Sequence, residues 1–211
     1  MMTIFPPDSA RDLIPPEPTI PRLRRAAASC TACPLYRNAT QTVFGEGPEK
    51  ARLVMVGEAP GDVEDTSGRP FVGPAGRLFD RCLAEAGIDR AQIYLTNTVK
   101  HFKWVARGRR RIHMKPAAAE IAACLPWLEA EIAALAPHVL VALGATAAQA
   151  LFGPEFRVTR DRGRAIPSRW APCAVATVHP SALLRIPDEE ARHRETQRFI
   201  AELREIAALL E

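Results

Sequence analysis

Four apolar runs, at residues 53–56, 93–96, 139–143 and 174–178, constrain this chain more than any other feature, because the stretches between them are spaced for helices. Short continuous runs of this kind suit buried strands. Residues 74–86 place Leu78, Cys82 and Leu83 on one helical face and stop at Gly87. Residues 116–135 carry the stripe Ile121, Cys124, Leu125, Leu128, Ile132 and Leu135, with Pro116 in the first turn. Shorter helices over 22–28 and 145–152 and a long one over 189–210, with Phe199, Leu203, Ile206 and Leu210 on one face, complete the pattern. Strands alternating with helices predict an α/β fold, a central, mostly parallel four-stranded sheet flanked by helices.

A 211-residue chain that is 47% hydrophobic is long enough for one sizeable core, so residues 22–211 are expected to form a single domain. Residues 1–21, rich in proline and without helical period, read as an extended N-terminal arm. The chain has no membrane-length apolar run, and its first residues lack the basic-then-apolar order of a signal peptide. A cytoplasmic monomer with no membrane partner is the expectation. Five cysteines, an odd number, suit reduced thiols better than a secreted disulfide framework.

The net charge of +4 conceals a local excess. Lys100, Lys103, Arg107, Arg109, Arg110, Arg111 and Lys115 fall in a stretch without an acid, and taking these seven away leaves the remainder at −3. Such a stripe points to a polyanion, nucleic acid being the commonest, or to a solvated basic loop. Its last histidine, His113, has either a phosphate contact or a nucleophile's role open to it.

The loop that leaves the first apolar run holds glycines at 57, 61, 68 and 73 together with Glu58, Asp62, Glu64 and Asp65. Glycines permit tight turns and close approach to a ligand, and a long loop in a compact domain is commonly functional. Phe71 within it is a core plug or a stacking platform. Glu58, Asn97 and His179 each follow an apolar run, so a parallel sheet would gather them at its carboxyl edge, where open α/β sheets bind ligands. Cys30 and Cys33 form a CxxC pair able to chelate a metal.

The stretch from Gly57 to Gly76 resembles the first motif of the family 4 uracil-DNA glycosylases, GEAPGxxEDxxGRPFVGxAG. Thr96-Asn97-Thr98-Val99-Lys100 and His179-Pro180-Ser181-Ala182-Leu183-Leu184-Arg185 resemble that superfamily's second and third site segments, so the likeness runs over residues 25–205. Arg109-Arg110-Arg111-Ile112-His113 is similar to the basic loop of the family X enzymes, known for covalent attachment to uracil-containing DNA. Family X members usually carry Gln where this chain has Ala59, so the first motif keeps the family 4 form.

The resemblance implies a three-layer uracil-DNA-glycosylase-like fold and a DNA-repair function. The partner it implies is uracil-containing DNA, single strands included. The implied roles put Gly57 and Gly61 against a flipped uracil, Phe71 on its ring, Asn97 on its O4 and N3–H, and His179 on O2, where charge gathers on the leaving base. Glu58 and Asp62 would stabilise the cationic sugar or orient a nucleophile, and Gly61 and Asp62 lie in the loop that could exclude the thymine methyl. Lys100, Arg109, Arg110, Arg111, Ser181 and Arg185 would hold the DNA backbone. His113 would attack C1′ and remain bonded to it. Cys30, Cys33 and Cys124, with His101 where the family has a fourth cysteine, would hold a 4Fe–4S cluster, zinc being the alternative. Cys82 and Cys173 read as core residues. Two other functions stay open: an ordinary family 4 glycosylase that releases uracil with turnover, and a non-catalytic nucleic-acid-binding module.

Overall fold

The computed structural model describes residues 9–210. In chain order its strands are β1 (Leu53–Gly57), β2 (Ile93–Asn97), β3 (Trp104–Arg107), β4 (Arg110–His113), β5 (Val139–Leu143), β6 (Ala165–Ile166) and β7 (Cys173–Thr177). Its α-helices are α1 (Ile20–Ala27), α2 (Asp62–Ser67), α3 (Pro74–Glu85), α4 (Ala118–Leu135), α5 (Ala145–Phe152), α6 (Val158–Asp161), α7 (Pro180–Leu184) and α8 (Glu189–Ala208).

The four expected strands run parallel in the order β2-β1-β5-β7, and β6 adds a fifth, antiparallel strand at the edge of β7. Two residues are too few to show a hydrophobic period, which is why β6 escapes the sequence. Alternation along each strand divides the core in two. Val54, Val56, Leu140, Ala142 and Ala176 face one layer with Leu23, Trp127, Leu128 and Ile132 of α1 and α4. Leu53, Met55, Val139, Val141 and Val175 face the other, with Phe79 and Leu83 of α3 and Phe199 and Leu203 of α8. Every residue of β1 is buried, as continuous apolar strands covered on both faces must be.

Part of the proline-rich arm, residues 1–8, lies outside the described residues. In the rest of it Ser9 caps a 3₁₀ turn over Ala10–Leu13 and Ala10 is fully buried, residues 16–19 are exposed, and α1 begins at Ile20.

The glycine-rich loop is not structureless. The Glu64 side chain accepts hydrogen bonds from the Gly61 and Gly73 amides at 3.2 and 2.8 Å, closing the loop around α2, and Gly68 ends that helix at φ 74°. The basic stripe likewise has form. It folds into the β3–β4 hairpin, which turns at Gly108 with φ 59° and stands apart from the main sheet. Among the described residues no helix is long and apolar enough to cross a membrane.

Candidate active site

The carboxyl ends of β1, β2 and β7 bring Glu58, Asn97 and His179 to one edge of the sheet, beside β1, around which the strand order reverses. Gly57 lies at the centre. A Cβ there would stand 2.4 Å from Asn97 Oδ1, 2.7 Å from Phe71 Cζ and 3.3 Å from His179 Nε2. An amide, an aromatic edge and an imidazole thus converge on space that only glycine leaves open.

Phe71 reaches this place through a left-handed backbone, φ 56°, uncommon for a residue with a side chain. A Cβ at residue 76 would fall 1.9 Å from the Phe71 carbonyl oxygen, so Gly76 is the neighbour that lets this turn close. The Phe71 ring packs on Phe79 at 5.7 Å and stacks on His179 at 5.8 Å, with 30° between the planes of the latter pair.

The Ser181 amide donates to His179 Nδ1 at 3.1 Å, and the Ser181 hydroxyl lies 2.9 Å from the same nitrogen. With Nδ1 accepting, the neutral ring carries its hydrogen on Nε2, the atom that faces Gly57. Burial, reinforced by the positive charge of Arg185 and by His113 when that ring is protonated, pushes the His179 pKa down to about 4, so the ring is a neutral donor at pH 7.

Glu58 accepts a hydrogen bond from Thr146 Oγ1, and its other carboxylate oxygen lies 3.8 Å from His113 Nε2. His113 sits on β4 with its ring tilted against Phe102 at 5.9 Å, and it remains 42% exposed at the side chain. Burial lowers its pKa, Arg185 adds to the effect, and Glu58 and Glu64 oppose it. Two residues earlier on the same face, Arg111 pairs with Asp62 and with Asp65, at 2.5 and 2.6 Å. Its guanidinium also covers the rings of Phe102 and Trp104.

Several expected roles change. Lys100 cannot hold a phosphate, because its side chain is wholly buried in an ion pair with Glu131 and donates to Thr96 Oγ1 at 2.7 Å and the Asn97 carbonyl at 2.8 Å. Arg111 is tied to Asp62 and Asp65 and pins the hairpin to α2 instead of reaching DNA. Ser181 is engaged with His179, and Arg185 donates to the Ser181 hydroxyl at 3.3 Å. Gly61 stands against the Glu64 carboxylate and is not among the groups over Gly57. Arg109 and Arg110 are exposed at the hairpin turn, as a backbone contact requires. Thr146, Phe102 and Glu131 went unforeseen, since none is a motif residue and each acts through a contact distant in sequence.

Cys30, Cys33 and Cys124 are buried free thiols. Trp127 Nε1 donates to Cys30 Sγ and the Lys100 amide to Cys124 Sγ, each at 3.3 Å. Burial raises Cys33 and lifts Cys124 to about 12, and mutual repulsion among these sulfurs contributes to both. His101 is buried, its Nε2 lies 3.0 Å from Thr42 Oγ1, and its Nδ1 has no hydrogen-bond partner. By donor type, three buried thiols and an imidazole nitrogen without a partner suit an iron–sulfur cluster. Among the described residues no three His, Cys, Asp or Glu side chains are gathered closely enough to grip one metal ion. Cys82 is buried in the core, and Cys173 is half-buried at the start of β7.

The carboxyl edge of the parallel sheet thus assembles an aromatic ring, an amide and a neutral imidazole, groups able to stack on and hydrogen-bond a planar heterocycle. Comparison with known proteins specifies the kind. The model of the uracil DNA glycosylase superfamily matches residues 44–204. The type-4 uracil-DNA glycosylase of Thermotoga maritima is 43% identical over 164 residues, covering 77% of this chain and 82% of its own length. Its counterpart from Archaeoglobus fulgidus is 37% identical over 186 residues, 85% and 90% of the two chains, and that of Pyrobaculum aerophilum 37% over 173 residues, 79% and 85%. The chain belongs to the uracil DNA glycosylase superfamily, and its function is that of a uracil-DNA glycosylase in DNA repair.

Proposed function

We propose that the protein excises uracil from DNA and releases it with turnover, the flipped base being held over Gly57 by Phe71, Asn97 and His179. The observation that carries this reading is the convergence of those three side chains on one glycine. An amide can donate to O4 and accept from N3–H of uracil, a pairing that the reversed edge of cytosine does not satisfy. Phe71 supplies the stacking surface. As C1′–N1 breaks, the bonding electrons pass to uracil and the Nε2–H of neutral His179 meets the charge at O2. Glu58 offsets the positive charge on the sugar, water forms the new bond to C1′, and its proton passes to the Glu58 carboxylate. The likeness to type-4 enzymes supports release of the base.

A second reading has one specific observation in its favour. His113 Nε2 lies 3.8 Å from the Glu58 carboxylate on a half-exposed ring that burial keeps neutral, so the imidazole is available in place of water. Attack by His113 on C1′ would leave the protein bonded to the sugar after uracil departs. N-alkylated imidazole is a poor leaving group, and that adduct would end turnover.

Cys30, Cys33, Cys124 and His101 are assigned to a 4Fe–4S cluster with a structural role, tying the N-terminal segment to the end of β2 and to α4. Iron and sulfide bound stoichiometrically by purified protein supports the cluster, whereas stoichiometric zinc without iron supports the alternative ion.

One gel separates the readings. The protein is incubated with a uracil-containing oligonucleotide and its thymine counterpart, then denatured. An alkali-sensitive site without retained protein supports release, and a heat- and detergent-resistant band that His113→Ser abolishes supports covalent capture. Neither product, or equal activity on thymine, overturns the uracil assignment.

A further inference from the structure

The outward face of the β3–β4 hairpin holds an apolar surface that no core covers. Among the described residues five large apolar side chains are exposed, Val63, Val105, Ile112, Met114 and Leu184, and three of them lie on this hairpin or directly after it. The register sets Val105 opposite Ile112 and Arg107 opposite Arg110. Strand alternation places these four on the face away from Arg111 and His113. Cross-strand neighbours on one face touch, so an apolar pair adjoins a guanidinium pair nearer the turn. A strand advances about 3.3 Å per residue, which separates the two pairs by about 7 Å, the scale of a phosphate and its base in one nucleotide.

We propose that this face holds unpaired nucleobases of single-stranded DNA beside the uracil, with Val105 and Ile112 against a base and Arg107 and Arg110 on the phosphates. The inference rests on the uracil-DNA reading above. Two observations select this occupant. Arg107, Arg109 and Arg110 are exposed and form no ion pair among the described residues, so a polyanion is favoured over a second copy of the chain. The opposite face of the same hairpin carries His113, 3.8 Å from Glu58, so DNA delivered to that site passes the hairpin. Val105 and Ile112 offer no hydrogen bond to a base edge. Within DNA they can meet only the flat face of a base, which a duplex keeps stacked and a single strand exposes.

The test uses the full-length protein, a uracil-containing single strand and the same strand annealed to its complement, with binding followed by fluorescence anisotropy and uracil release measured on both. Val105→Ser combined with Ile112→Ser should weaken single-strand Kd about fivefold, the loss expected when a modest apolar contact is removed, and duplex Kd less than about twofold. Ile112→Phe should tighten single-strand binding. If the double variant misfolds by its melting midpoint, Val105→Ala and Ile112→Ala singly provide the same readout. Equal weakening on both DNAs, or an unmoved single-strand Kd, overturns the proposal, as does a wild-type dimer that the double variant abolishes. Wild type that releases no uracil from either DNA refutes the underlying reading; release by wild type with an unmoved variant Kd refutes this inference alone.

Discussion

Lys100 and Glu131 form an ion pair in which neither side chain meets solvent, and the same ammonium bonds the Asn97 carbonyl at 2.8 Å. The pair therefore fixes the end of β2 from which the Asn97 amide projects. Removing one partner of such a pair strands the other charge, at about 3–5 kcal/mol. Lys100→Met should lose that much stability in denaturant unfolding, and adding Glu131→Gln should restore part of it by removing the stranded charge while keeping an acceptor for Tyr94. A wild-type midpoint in Lys100→Met would show that the pair contributes nothing.

Gly57→Ala tests the pocket directly. The new methyl would meet Asn97 Oδ1 at 2.4 Å and Phe71 Cζ at 2.7 Å, both side-chain atoms assigned to the base. Uracil release should fall at least about 10²-fold, as misplacing reacting groups by an ångström does, with a much smaller change in melting midpoint. Unimpaired release would mean that uracil does not sit over this residue.

Asn97→Asp exchanges the amide donor for an acceptor. A carboxylate opposes O4 of uracil but accepts from the amino group of cytosine, so kcat/KM for uracil should drop at least about 10²-fold while cytosine excision becomes measurable. An unchanged uracil-to-cytosine ratio would remove Asn97 from base reading.

His179 makes stability pH-dependent with a definite sign. Its folded pKa, about 4, is below the unfolded value near 6.5, so the folded state binds fewer protons between these values. Its contribution is complete above about pH 6.5 and is lost as pH falls toward 4. Denaturant unfolding at pH 7.5 and pH 4.5 should show wild type losing about 1–3 kcal/mol more than His179→Asn, a variant without the titrating ring. Equal losses would place the folded pKa near the unfolded one.

The sheet was legible because its strands are buried on both faces and read as unbroken apolar runs; β5 spans Val139–Leu143 as expected and the other three shift by only a residue or so. Glu58, Asn97 and His179 were legible for the same reason, each being the first polar group after such a run. What stayed hidden depends on distant partners. α2 exists because Glu64 bonds two loop amides, and nothing in six residues of mixed polarity announces that. Lys100 looked like part of a surface stripe because its counter-charge is 31 residues away on α4. Arg111 looked free for the same reason, its acids lying 46 and 49 positions earlier.

The β3–β4 hairpin contributes no residue to either half of the hydrophobic core and pairs with no strand of the main sheet. It is a cassette. Its packing is independent of the sheet, and its anchors are Arg111 with its carboxylates and the Trp104 indole, which donates to the Asn38 carbonyl at 2.8 Å. A substitution in the hairpin can therefore alter the surroundings of Glu58, whose carboxylate lies 3.8 Å from His113 Nε2, without disturbing the sheet that positions Asn97 and His179.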